Sequence, residues 1–177
     1  MEADICNRLR LLSLVTIITL MLVCNISFAD SKLDRCLVYK DKITSILERE
    51  NVSHNYFYLA VCESGCRVKE SPKGARGVFQ VMPTTFRNYM DEECTDIDDF
   101  ECNTIAAARY IKHLEERFKE LPIIIKAYNR GGTNLIRKGT TKEADNLSAC
   151  VMRYINNNKE TSYESVCSNE RERSDIR

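Results

Sequence analysis

No excess of either charge marks this chain: 26 basic and 26 acidic side chains leave its 177 residues with a formal net charge of +0. That balance disfavours nucleic acid as a partner, because phosphate binding rests on a clear basic surplus. Histidine is scarce, with only His54 and His113. Cys62 and Cys66 have ligand-like spacing, but neither histidine stands near a second cysteine pair, which argues against zinc. No Cys-His-Asn order stands out for a cysteine hydrolase. No glycine-rich loop follows a strand pattern, so a nucleotide is not indicated, and no cofactor is expected. Period-two alternation bounded by hairpin signals is missing, apart from a short extended piece at 77–82. Long repeats and low-complexity linkers are also lacking, and the length suits one domain rather than two.

What is present is the balance of a soluble globular chain, 44% hydrophobic and 29% charged. The N-terminus has the layout of an export signal. Arg8 and Arg10 form the positive flank, Leu11 to Val23 the apolar core, and Ser27-Phe28-Ala29 the small-residue cleavage pattern. Residues 1–29 are therefore expected to be removed, which places the protein in the periplasm with no stable membrane span. An uncleaved anchor is the alternative. Export suits the cysteines. Cys36, Cys62, Cys66, Cys94, Cys102, Cys150 and Cys167 remain after cleavage, and so many suggest a disulfide framework in an oxidising compartment. Seven is odd, so at least one stays unpaired within a monomer. Sequence leaves the connectivity open; nearness alone offers Cys94 with Cys102 and Cys150 with Cys167.

The periodicity is helical throughout. Residues 32–50 read as one amphipathic helix with Leu33, Cys36, Leu37, Ile43, Ile46 and Leu47 on its apolar side. An apolar run (Tyr56, Phe57, Leu59, Ala60, Val61) reads as a buried helix, with Ser53 as N-cap and Gly65 as its stop. Pro83 opens a short helix, and an acidic loop follows over 91–99. A long helix covers 100–119, favoured by Asp98 and Asp99 at its positive end. Pro122 starts an apolar helix ended by Gly131-Gly132, and Leu135-Ile136 mark a short helical turn. Ala144, Leu147, Val151, Tyr154 and Ile155 mark the last helix. The fold class is mostly α, with the domain at 30–167. Composition predicts a charged, disordered tail at 168–177.

The apolar helix delivers one carboxylate, Glu63, at its end. Most glutamates simply face solvent. Here the negative helix terminus and apolar flanks both disfavour the ionised form, so its pKa is expected to rise. A carboxyl group protonated near neutral pH is what a general acid needs. Around it stand Glu63-Ser64, then Ser71-Pro72-x-Gly74-Ala75-x-Gly77-x-x-Gln80-x-Met82-Pro83-x-Thr85. Further on come Asn103 with Ala107, Tyr110 and Ile111, and then Ala127-Tyr128-Asn129-Arg130-Gly131. Three blocks in this order, over roughly 52–136, resemble the soluble lytic transglycosylases, relatives of goose-type lysozyme.

The resemblance implies a lysozyme-like single domain with an interhelical substrate cleft. Its substrate would be the glycan strands of peptidoglycan, cut at the β-1,4 bond between N-acetylmuramic acid and N-acetylglucosamine. A typical glycosidase needs two carboxylates. The motif supplies one, with Glu70 and the acidic loop as candidate seconds. In this family a hydroxyl of the muramic sugar itself attacks, giving a 1,6-anhydro product, and an intramolecular nucleophile needs no second carboxylate to activate water. Glu63 would protonate the leaving oxygen and then accept the hydroxyl proton.

The substrate-binding set carried over is Gln80, Tyr128, Asn129, Ser71, Met82, Ser64 and Tyr154. Each has a bland counterpart: a buried amide, a core tyrosine, a helix cap, a turn serine, a core filler, a helix-end serine and a partial motif match. Four departures stand out. Ser71 follows Glu63 by eight residues, one fewer than usual. Cys66 replaces an aromatic, whose packing a disulfide would restore. Ala107 replaces a glycine. The last motif, Glu-Thr-x-x-Tyr-Val, has only partial counterparts at Tyr154-Ile155 and at Glu160 to Tyr163. Small size without a wall-binding appendage implies, by family analogy, the kind that opens the wall for a secretion or conjugation apparatus. A lysozyme-type hydrolase and a non-catalytic glycan-binding or scaffold protein are the alternatives.

Overall fold

A computed structural model describes the backbone of residues 31–174 and the side chains of residues 32–158. The export-signal segment lies outside the described residues. Among the described residues eight α-helices follow in order: α1 Ser31–Leu37, α2 Lys40–Arg49, α3 Phe57–Glu63, α4 Pro83–Tyr89, α5 Phe100–Arg117, α6 Leu121–Arg130, α7 Gly132–Lys138 and α8 Lys142–Ser174. Among the described residues the only extended pairing is an antiparallel bridge between Arg76 and Val81, which overlaps the expected 77–82 piece but begins one residue before it. The domain is mostly α, as the periodicity indicates.

The centre is α3. Phe57, Leu59, Ala60 and Val61 are all at most 1% exposed. A helix apolar all round must lie inside the others, and α1, α2 and α8 pack against it. Ser53 caps the single 3-10 turn His54–Tyr56 that leads into α3, accepting from the Asn55 amide at 3.3 Å. Gly65, at φ +61°, ends it. Two other expected boundaries hold. Asp99 caps α5, accepting from the Cys102 amide at 2.9 Å, and Gly131 at φ +82° stops α6. Ala106, Ala107 and Ala108 are fully buried, so the alanine run permits close packing of α5.

The single helix expected over 32–50 is two. The chain turns at Val38-Tyr39, where the Tyr39 amide bonds the Cys36 carbonyl at 2.9 Å. The physical reason is the Cys36–Cys66 disulfide, which pulls α1 onto the end of α3. Leu37 is left 48% exposed instead of on the apolar side. Cys94–Cys102 forms as nearness suggests. Cys150 does not pair with Cys167; it bonds Cys62, 88 residues away, because α3 and α8 lie side by side. The helix α8 runs on to Ser174, through seven residues of the segment expected to be a disordered tail. Glu and Arg are good helix formers, and low apolar content does not stop a helix already nucleated by packing.

The turn region 71–81 is pinned from behind. Asn103, fully buried, accepts from the Phe79 amide (3.3 Å) and donates to the carbonyls of Arg76 and Ile97 (3.1 Å each). A Cβ on Gly77 would clash with the Asn103 side chain, and Gly77 sits at φ +73°. Gly77→Ala is therefore expected to cost about 2 kcal/mol or more, read as a lowered denaturation midpoint.

Candidate active site

Glu63 closes α3 beside a cleft of about 160 Å3, lined also by Ser71, Lys73, Ala75, Gln80, Val81, Met82, Thr85, Tyr110, Tyr128, Asn129 and Glu143. Its carboxyl oxygens make no hydrogen bond with the described residues. Burial pushes its pKa up to about 7, with the negative charge of Glu143 adding to the rise. The expected direction holds, and loss of water is its main cause.

Of the residues grouped with it by motif, Gln80, Tyr128, Asn129, Ser71 and Met82 line this cleft. Gln80 adopts φ +50°. Its amide donates to the Lys69 carbonyl at 2.9 Å and the Gly77 carbonyl at 2.8 Å. Both partners are acceptors, so the nitrogen must face them, and the amide oxygen is what Gln80 has left to offer. Gln80, carried over as a sugar-binding residue, thus has an acceptor rather than a donor to offer. Tyr128 is buried and donates its hydroxyl to the Phe79 carbonyl at 2.9 Å. Its proton is directed at neither Glu63 nor a sugar. Burial raises its pKa well above the usual tyrosine value, so it stays neutral. Tyr128→Phe leaves that carbonyl unpaired and is expected to lower stability by about 1–2 kcal/mol, measured by thermal unfolding.

Asn129 makes no side-chain hydrogen bond with described residues and is available to a ligand. Ser71 accepts from the Ala75 amide at 3.0 Å, which closes the turn and leaves its hydroxyl proton to donate. Met82 is 40% exposed in the cleft wall, an apolar surface of the kind a sugar face covers. Tyr110 and Tyr128, with ring centroids 5.3 Å apart, add an aromatic wall to the cleft.

Two expected residues are not in the cleft. Ser64 is buried and donates to the Val78 carbonyl at 2.7 Å, tying the end of α3 to the turn segment. Its short side chain cannot reach past that bond. Tyr154 stacks on Tyr58, centroids 5.7 Å apart, one turn back along α3 from the Cys62–Cys150 bond and so away from the Glu63 end. Glu70 is not a second cleft carboxylate; it pairs with Arg76 at 2.9 Å. The acidic loop is likewise engaged: Asp91 pairs with Arg109 at 2.9 Å and Asp98 with Arg76 at 3.1 Å. The second carboxylate is Glu143, in the first turn of α8, paired with Lys73 at 2.6 Å. Sequence reasoning missed Lys73 and Glu143. A glutamate in a helix first turn is ordinary dipole chemistry, so no local signal singles it out. Among the described residues no cluster of His, Cys, Asp and Glu could hold a metal ion.

None of the curated proteins matches this chain. The family model described as the transglycosylase SLT domain matches residues 43–150, more than half of the chain. That span opens in α2 and ends at Cys150, and it holds every residue of the cleft around Glu63. With the helical architecture and the match in agreement, the chain belongs to the transglycosylase SLT domain family.

Proposed function

We propose that this protein is a peptidoglycan lytic transglycosylase that uses Glu63 as its single acid and base. It cuts the β-1,4 bond between N-acetylmuramic acid and N-acetylglucosamine. The observation that carries the reading is the state of Glu63: an unpaired carboxyl, opening on a cleft, with its pKa raised to about 7. At neutral pH about half the molecules then hold the proton that the leaving oxygen needs. As the bond breaks, that oxygen takes the proton, and the glycosyl centre develops positive charge. The carboxylate so formed accepts the proton of the muramic sugar's own hydroxyl as it attacks. The 1,6-anhydro ring closes and Glu63 is again protonated, so acid and base steps balance without water.

Asn129 and Ser71 are the donors toward the sugar's amide and hydroxyl groups, and Gln80 supplies an acceptor. Met82 and the tyrosine wall carry its apolar faces. The export signal would deliver the enzyme to the periplasm, where the disulfides are favoured. Local wall opening for a secretion or conjugation apparatus is the role that family analogy supports.

Glu143 favours a second reading, hydrolysis by a muramidase, since it brings another carboxylate to the cleft. Mass spectrometry of digested peptidoglycan separates the two. The proposal expects 1,6-anhydro-muropeptides from the wild type and none from Glu63→Gln. Reducing-end products would establish hydrolysis instead, and undiminished glycan binding with no turnover in the wild type would indicate a binder.

A further inference from the structure

Lys73 and Glu143 reach each other from opposite sides of the cleft mouth. Lys73 comes from the turn after Pro72, and Glu143 from the start of α8, 70 residues later. Both side chains are mostly exposed, at 73% and 62%, yet both line the cleft that Glu63 closes. The placement of Glu143 is constrained. Cys62, the residue before Glu63, is bonded to Cys150, which stands seven residues after Glu143 on α8. Seven residues are two helical turns, so Glu143 and Cys150 share the face that α8 turns toward the end of α3. A disulfide one residue from the acid therefore holds the helix that brings the second carboxylate.

We propose that Glu143 is a positioning residue that acts through Glu63, and that Lys73 sets how much of its charge Glu63 feels. This rests on the reading of Glu63 as the acid. Glu143 keeps the proton on Glu63 to higher pH, and the ion pair with Lys73 tempers that effect. The titratable or charged groups facing Glu63 across the cleft are Lys73 from the turn, Glu143 from α8, Tyr110 from α5 and Tyr128 from α6. The raised tyrosine pKa values leave both rings neutral in the working range, so Lys73 and Glu143 are the charges that remain. The rise at Glu63 that Glu143 produces agrees in sign with this geometry. An anionic group on the glycan that drew Lys73 away would leave Glu143 unpaired and hold the acid proton more firmly as substrate arrives.

The test is the alkaline limb of kcat/KM, measured on isolated peptidoglycan with the full mature chain. Glu143→Gln is expected to move that limb to lower pH by about 0.5 unit, the size of effect a screened surface charge exerts. Lys73→Gln should move it the other way. Both shifts should shrink as salt is raised, which a merely structural role would not produce. Both side chains are exposed, so folding is checked simply by thermal unfolding. An unmoved limb in Glu143→Gln, or the same direction of shift in both variants, overturns the proposal. Failure of the underlying reading looks different: the wild type itself then shows no alkaline limb near neutrality, or Glu63→Gln keeps its turnover.

Discussion

Glu63→Gln should reduce the release of wall fragments by about 1,000-fold, the usual worth of a positioned general acid, while raising stability above neutral pH. The two effects have one cause. The folded-state pKa of Glu63 is raised from 4.5 to about 7, so the folded protein holds this proton more tightly than the unfolded chain. For a raised pKa the contribution is fully present below the unfolded value and is lost as pH rises through the folded one. Stability should thus decline between about pH 4.5 and pH 7. At pH 8 the wild type carries a buried charge that costs roughly 3 kcal/mol. Glutamine carries none. Denaturant unfolding at pH 5 and pH 8 checks this: the variant gains on the wild type only at the higher pH. Equal midpoints at both values would mean that Glu63 is not held in a water-poor site.

Loss of the Cys62–Cys150 bridge is the second large effect. The disulfide joins residues 88 apart and thereby closes a loop across most of the domain. Constraint of the unfolded chain over a loop of that length corresponds to about 4.6 kcal/mol. The Cys62→Ala/Cys150→Ala pair should therefore unfold at much lower denaturant. It should also lose activity before it unfolds, because the bond begins one residue from Glu63 and anchors the helix carrying Glu143. The other two disulfides span 30 and 8 residues. Removal of Cys94–Cys102 should cost less, as the closed loop is short. If both double variants lose the same stability, loop constraint is not what these bonds contribute.

The helices and their ends were legible because their signals are local. Apolar spacing, Pro at a start and Gly at a stop act within one or two turns, and they place α3 to α7 close to where they lie. The break between α1 and α2 was not legible: its cause is a disulfide to Cys66, 30 residues away. The same distinction divides the site. Glu63, Ser71, Gln80 and Met82 belong to one continuous stretch, so its motif brings them together. Their hydrogen bonds are another matter. With its backbone left-handed, Gln80 spends its amide donors on the carbonyls of Lys69 and Gly77, and no spacing announces that. Ser64 and Tyr154 were read from motif position, yet one is consumed by Val78 and the other by Tyr58. Glu143 reaches the cleft because α8 packs along both α6 and α3, a tertiary fact with no trace in nearby residues.

The most direct test of the account is the titration of the Glu63 carboxyl carbon by 13C NMR in the folded, ligand-free protein. A midpoint near 7 is predicted, and a midpoint near the ordinary 4.5 would contradict it.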